Sequence, residues 1–575
     1  MKRIGSVFSS AVSLGRIRWT WGDAVALSSI AALLYFALRL ALSAPMVIHG
    51  PSISLSPAML PLYAGLSFLR MLTAYIISLA FSLWYGSLMA SNKRLEQFLL
   101  PLLDVLQSVP ILSFLPVVLL GLSAFLSQET SSEFASVVLI FTSQAWNLAF
   151  AWYQAQKTVP LELREVSANF QFSPWMKFRT MELPFAAISL VWNTIMSWAG
   201  GWFFLMAAEI FTVGNKDFRL PGLGAYLSQA SNAGNVRAVT WGLATLIFMI
   251  VALDQLIWRP LMAWSDRFKM ETVETDQPRP RSWFLESWRR SRFVSAWVRA
   301  TVHRAVDPLE DRIERTFVVK PTDEGPAKRN IWSSILMWLG GLLILYGLYR
   351  AGALLFQVGH NDWRLIASGI LATALRVLIS MAIALAWTIP AGVGIGMNAR
   401  MAKWVQPIAQ IAASVPATAL FPVLMLGLVS VSGGLNLIAV LLMLMGTQWY
   451  LLFNIIAGVT AIPQDLRHTA SALGLKGWQH WRVVLFPALF PYIITGLITA
   501  SGGAWNASIV AEYTEFGGRT RSVTGIGATI AKATASGNYP MLLAATLTMV
   551  LVVVLVNRFL WRRLYALAED QYRMD

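Results

Sequence analysis

No cysteine occurs in the 575 residues, so disulfides, thiol catalysis and iron–sulfur ligation are excluded. Histidine is scarce as well: His49, His303, His360, His468 and His480 never pair at metal-ligand spacing, and no metal site is expected. No segment fits G-x-x-x-x-G-K-[ST], so the chain lacks a phosphate-binding loop and is not expected to hydrolyse ATP itself. Charge is sparse at 13% of residues, against 56% hydrophobic and a mean hydropathy of +0.58. That much apolar surface cannot be hidden in water-soluble domains, so an all-α integral membrane protein is expected.

Apolar runs of the length a bilayer core demands occur about six times in each half. They are placed near 24–42, 62–90, 98–125, 134–156, 184–212 and 236–258, then near 331–350, 364–397, 404–429, 434–460, 486–513 and 539–560. The first run reads as an uncleaved span. The net charge of +16 collects at Lys2, Arg3, Arg16 and Arg18, at Lys93 and Arg94, through 259–330, and at Arg558, Arg562 and Arg563. With the N-terminus inside, all of these fall on the cytoplasmic side, so the surplus is topological and does not point to nucleic acid. Lys216 and Arg219, on the opposite side, are the exception.

The chain repeats itself. Leu69-Arg70, Gly86, Ser108-Val109-Pro110, Pro116 and Gly121 recur 306 positions later as Leu375-Arg376, Gly392, Ser414-Val415-Pro416, Pro422 and Gly427. The offset then becomes 303, carrying Pro160, Arg164, Trp175, Pro184, Trp202, Glu209, Gly222 and Gly224 onto Pro463, Arg467, Trp478, Pro487, Trp505, Glu512, Gly525 and Gly527. Two copies of one membrane unit are therefore joined, at 1–258 and 331–575, by a charged cytoplasmic linker at 259–330. Six spans per copy give both the same orientation, related by an axis along the membrane normal. In the linker, Trp283, Phe284, Trp288, Phe293 and Trp297 lie among Arg289, Arg290, Arg292 and Arg299; this is either a basic amphipathic helix on the inner membrane surface or a solvated connector.

Between the fourth and fifth spans each copy has a segment bounded by prolines, 160–184 and 463–487. Each reads as a short helix opened by proline, a break, then a second helix leading by Trp and Arg into the next span. Small residues (Ser167, Ala168; Ala470, Ser471, Ala472) let another surface approach the backbone.

These segments resemble the EAA loop of ABC-transporter permeases of the binding-protein-dependent importer family. The second copy matches as His468-Thr469-Ala470, Gly474 and Phe486-Pro487, the first as Glu165-Val166-Ser167, Gln171 and Leu183-Pro184. Ser67-Phe68-Leu69-Arg70, Thr373-Ala374-Leu375-Arg376, the Ser-Val-Pro segments, Ala208-Glu209, Ala511-Glu512 and the Gly-x-Gly pairs make the chain similar to the nitrate, sulfonate and taurine branch. The resemblance implies a type I importer permease with two fused units, without enzymatic activity of its own, in the bacterial cytoplasmic membrane with both termini inside. It implies two copies of a cytoplasmic ABC ATPase, which bind ATP and Mg, and an extracytoplasmic solute-binding protein. It further implies a small anionic solute, and an ATPase-coupling role for Glu165, Val166, Ser167, Ala168, Gln171, His468, Thr469, Ala470, Ser471 and Gly474. His468 and Gln171 depart from the acidic residue and the glycine of the pattern. A non-glycine residue at a left-handed break costs about 1 kcal/mol or more, so the first loop is expected to be shaped differently.

Glu209 and Glu512 are candidates for the pathway or a gate, since intramembrane acids are costly and face a cavity or a partner. Asp104, Gln107 and Gln410 are the next, lying just before the Ser-Val-Pro segments, where proline either frees backbone carbonyls to line a polar path or simply kinks the helix. An interfacial carboxylate is the other reading of Glu209 and Glu512. Arg70 and Arg376 are expected to anchor at the outer interface by snorkelling. The rival to an ATP-driven importer is an ion-gradient-driven transporter of two six-span halves, which would need intramembrane charge pairs and no such loops.

Overall fold

The computed structural model describes residues 21–41, 50–91, 93–213, 216–268, 282–290, 331–428, 430–516 and 519–572. Eight of its helices are long and apolar enough to cross a membrane: Pro57–Ser91, Glu129–Thr158, Val236–Phe268, Trp338–Leu355, His360–Met397, Gly434–Thr460, Gly477–Glu512 and Tyr539–Ala568. The expected spans at 98–125 and 404–429 are each broken. Leu95–Gln107 meets Ile111–Ser123 at 92°, and Arg400–Ser414 meets Ala417–Leu428 at 77°; counting each bent pair as one span makes ten. The breaks fall at Pro110 and Pro416, where proline removes a backbone donor and excludes the helical conformation before it. The other two expected spans are helices as well: Trp21–Ala41, and the 27-residue Leu183–Glu209, whose Trp192, Asn193, Thr194, Ser197 and Trp198 lower its hydropathy.

From Leu60 onward the two copies match element by element. Leu60–Ser91 corresponds to His360–Met397, Gln128–Thr158 to Gly434–Thr460, Leu183–Glu209 to Phe486–Glu512, and Val236–Leu253 to Tyr539–Val556. Each copy adds two elements absent from the sequence reading. One is a short antiparallel hairpin (Thr212–Val213 with Lys216–Asp217; Tyr513–Phe516 with Arg519–Ser522), and the other a ten-residue helix (Leu223–Asn232; Ile526–Ala535). The helix Val236–Phe268 also runs ten residues past the expected span end, into the segment read as linker. Within that linker, Trp283–Arg290 is helical, with Trp283 exposed and its indole Nε1 donating to Gln255 Oε1 at 3.1 Å. Phe293, Trp297, Arg292 and Arg299 lie outside the described residues.

Contacts between the copies are exchanged as a two-fold axis requires. Ala417–Leu428 packs on Leu183–Glu209 and Leu223–Asn232, while Ile111–Ser123 packs on Phe486–Glu512 and Ile526–Ala535. At this seam Leu112 N donates to Asn506 Oδ1 at 3.4 Å, and Thr418 Oγ1 donates to the carbonyl of Phe203 at 3.3 Å. Leu112 and Thr418 are equivalent positions, as are Phe203 and Asn506. The first helices break this symmetry. Trp21–Ala41 packs on Ile111–Ser123 and also on Tyr539–Val556 of the second copy, whereas Ile331–Leu355 packs on Trp21–Ala41 and on Tyr539–Val556. They are tied by Arg350 Nε donating to Tyr35 Oη at 3.0 Å and by a close approach of Gly347 to Ala32.

Within each copy the tightest packing runs along the central helices, where glycine lets neighbours approach. A Cβ at Gly458 would lie 2.7 Å from the Tyr492 ring, but one at Gly446, on the same helix, would meet nothing within 4 Å. Gly458→Ala should therefore destabilise by about 1–3 kcal/mol, while Gly446→Ala leaves stability unchanged or slightly raised. Denaturant titration in nanodiscs reads the difference, and equal effects would show that Gly458 does not mediate the helix contact.

Candidate functional site

Each copy carries a pair of structures at opposite ends of one long helix. At the N-terminal end of Leu183–Glu209 and Phe486–Glu512 stands the elbow. Its first arm is Leu161–Asn169 or Gln464–Ala472, each entered from proline with extended ψ. The carbonyls at the arm's end are taken up by a left-handed turn, the arrangement that usually calls for glycine. Phe172 N donates to Ser167 O and Gln171 N to Ala168 O, matched by Leu475 N to Ala470 O and Gly474 N to Ser471 O, all four at 3.0 Å. Gln171 has φ +51° and Gly474 φ +64°. The expectation of a differently shaped first elbow is thus overturned: the hydrogen-bonded turn holds Gln171 in the left-handed region. A Cβ at Gly474 meets nothing within 4 Å, so no steric clash stands in the way of a side chain there. The second arm, Pro174–Lys177 or Gly477–His480, passes through a π-helical turn into the long helix.

The sequence-named residues divide between two faces. Ser167 and Ala470 are buried against the body, so they seat the elbow instead of offering it to a partner. Glu165, Val166, Ala168 and Gln171 are exposed on the first elbow, and His468, Thr469, Ser471 and Gly474 on the second. Sequence reasoning missed Phe170 and Leu473, equivalent residues at the tips of the two arms. They are 72% and 70% exposed, an apolar knob repeated at the same place.

At the C-terminal end of each long helix is a buried lock. Glu209 is fully buried; its Oε1 accepts from Ser67 Oγ at 2.6 Å and from an Arg70 guanidinium nitrogen at 2.9 Å, and its Oε2 accepts from Gly224 N at 2.7 Å. Glu512 is held alike by Thr373 Oγ1 (2.7 Å), Arg376 (2.7 Å) and Gly527 N (2.9 Å). The hydroxyls of Ser67 and Thr373 in turn accept from Leu223 N and Ile526 N, each at 3.0 Å. Glycine is required at 222 and 525 because a Cβ would overlap the carboxylate of Glu209 or Glu512. Three motifs scattered along each copy thereby meet at one point.

This placement corrects two expectations. Arg70 and Arg376 do not snorkel; they are buried partners of Glu209 and Glu512. Neither carboxylate faces open space as an interfacial group would. The copies differ in one respect: Arg70 also makes a bidentate pair with Glu133 (both contacts 2.6 Å), whereas Arg376 reaches Asn436 Oδ1 at 2.8 and 3.2 Å. Of the remaining candidates, Gln107 is exposed and donates to Asn147 Oδ1 at 3.2 Å, and Gln410 is half-buried just before the Ser-Val-Pro break. The Asp104 side chain lies outside the described residues.

The sequence pattern of the family described as binding-protein-dependent transport system inner membrane component matches this chain twice, over 78–257 and 388–566. The chain is similar to the nitrate import permease protein NrtB of Synechocystis sp., at 29% identity over 191 residues, 33% of this chain and 66% of that protein. NrtB of Leptolyngbya laminosa is 31% identical over 188 residues, 33% and 64%. The bicarbonate transport system permease protein CmpB of Synechococcus elongatus is 28% identical over 189 residues, 33% and 65%. The chain thus spans about two thirds of the length of these curated relatives.

Two outcomes follow from the site. Glu512→Gln leaves Arg376 without a carboxylate partner, so it should cost about 3–5 kcal/mol, while Glu209→Gln costs less because Glu133 remains. Unfolding in nanodiscs measures both, and equal losses would remove the assigned difference between the locks. Gln171→Gly relieves a left-handed strain of about 1 kcal/mol; hydrogen exchange over 160–184 should slow correspondingly, and unchanged exchange would mean that the strain is absent.

Proposed function

The chain belongs to the family of binding-protein-dependent transport system inner membrane components, with two units in one polypeptide, and on that premise we propose that it forms both halves of the solute pathway of an ATP-driven importer. In this reading two copies of a cytoplasmic ABC ATPase, which carry ATP and Mg, dock on the two elbows. An extracytoplasmic binding protein delivers solute at the opposite end, in the bacterial cytoplasmic membrane, with both termini on the ATPase side. Transport requires no chemistry on the solute. The observation that carries the proposal is the duplicated elbow: the same left-handed turn and the same exposed apolar knob, at Phe170 and at Leu473. A large apolar side chain left exposed at the same place in both copies supports an interaction surface there.

The geometry supports a coupling role. The elbow continues through its π-helical turn into a 27-residue helix, a rod of about 40 Å at 1.5 Å per residue. The far end of that rod is clamped by the Arg–Glu lock. A displacement of the elbow by the ATPase therefore moves a rigid element whose other end organises the far side of the bundle. Contact with the ATPase falls to Glu165, Val166, Ala168 and Phe170 on one side and to His468, Thr469, Ser471 and Leu473 on the other, while Ser167 and Ala470 seat the arms. The relatives named as nitrate and bicarbonate permeases support a small oxyanion as the solute, with sulfonates such as taurine in the same chemical class. Gln107 with its partner Asn147, Gln410 just before the second break and Asn506 at the seam are polar residues near the helix breaks, and we assign them to the pathway.

The test is stoichiometry. Phe170→Asp and Leu473→Asp should each remove one ATPase from the purified complex and lower uptake at least tenfold, in line with roughly 2 kcal/mol for a central apolar anchor. If both variants retain two ATPases and full uptake, the elbows are not the docking sites.

A further inference from the structure

Behind the second elbow, on its inward side, lies a cavity of about 280 Å³. One wall is apolar, formed by Val459, Ile462 and Leu485; the rest carries Arg467, Lys476 and His480. Among the described residues none of these three bases makes an ion pair. Arg467 donates through one guanidinium nitrogen to the carbonyl of Val459, at the end of the preceding helix, and its other N–H groups are uncommitted there.

The first copy shows what closes this charge. At the equivalent positions stand Arg164, Ser173 and Lys177, with Glu182 in place of Leu485 and Gln156 in place of Val459. Glu182 accepts from Gln156 and pairs with Lys177, each at 3.3 Å, so the first elbow supplies its own anion. Trp175 there stacks on Phe178, with centroids 5.6 Å apart, whereas its counterpart Trp478 is 72% exposed. Against the first copy, the second has Leu485 for the carboxylate, Lys476 for Ser173 and His480 for Lys177, beside the opening.

We propose that this cavity binds a phosphate group. The Arg467 guanidinium and the Lys476 ammonium border one space and supply charge-assisted donors of the kind that recognise phosphate, with the His480 imidazole lining the same space. The cavity volume is several times the ~30 Å³ share of one water, ample for the group. A phospholipid headgroup and free inorganic phosphate offer the same chemistry; the apolar wall beside the bases accommodates the first, and the experiment separates them. Ala470, Ser471 and Gly474 of the elbow also line the cavity, but the test does not depend on ATPase docking, because its readout is binding to the permease alone.

The full chain is assembled into nanodiscs of phosphatidylcholine with and without phosphatidylglycerol, and retained lipid is counted by native mass spectrometry. In parallel, inorganic phosphate is titrated calorimetrically into the protein in neutral detergent. One saturable phosphate-bearing ligand is expected. Binding should weaken at least tenfold in Lys476→Ser, an exposed position where folding is not at risk, and vanish in Leu485→Glu, which restores the carboxylate of the first copy. Retention of phosphatidylglycerol without a phosphate titration identifies the lipid as the source; the converse identifies free phosphate. Binding of neither, or binding that both variants leave unchanged, overturns the proposal.

Discussion

A carboxylate with no exposure at the end of a membrane helix is the constraint on which the remaining architecture depends. Glu209 and Glu512 are tolerable only because arginine, a hydroxyl and a backbone N–H converge on them; a buried charge left without its partner is strongly destabilising. Meeting that demand ties together three elements distant in sequence: the long helix from Leu60 or His360, the helix ending in the glutamate, and the short helix beginning at Leu223 or Ile526. It also forces glycine at 222 and 525. With one end of the central helix so clamped, the elbow at its other end becomes the input of a lever, which is the basis of the coupling proposed for this chain.

Fusion has allowed the copies to drift where a homodimer could not. The locks differ in Glu133 against Asn436, the elbows in Gln171 against Gly474, and the space behind the elbow in Glu182 against Leu485. Backbone geometry has resisted the drift: the left-handed turn survives at Gln171 despite its cost. Side-chain chemistry has not resisted it, and the two first helices share one flank of the bundle. Function is thus kept in the duplicated frame, and asymmetry is confined to charge and to the periphery.

Much of this was legible in the sequence because matches at constant offsets need no knowledge of contacts. The repeat, the helical membrane class and the elbow boundaries could all be read directly. The lock could not be assembled: Arg70 lies 139 residues from Glu209 and Arg376 lies 136 from Glu512, and an arginine considered alone is assigned to water. Its signal was present nonetheless, since Arg, Glu and both glycines recur at matching positions. The broken helices were placed as single spans because an apolar window does not measure the angle of a turn at proline. Phe170 and Leu473 were passed over because an apolar residue in a loop announces nothing until its exposure is known.

The absence of cysteine makes the central claim directly measurable by double electron–electron resonance. Spin labels at the exposed, equivalent positions Glu162→Cys and Asp465→Cys report the elbows, and labels at Ala233→Cys and Ser536→Cys report the caps of the short helices beside the locks. With the ATPase bound, addition of ATP should change both distances together. A change between the elbows that leaves the distance at the far end fixed would contradict transmission through the clamped helix.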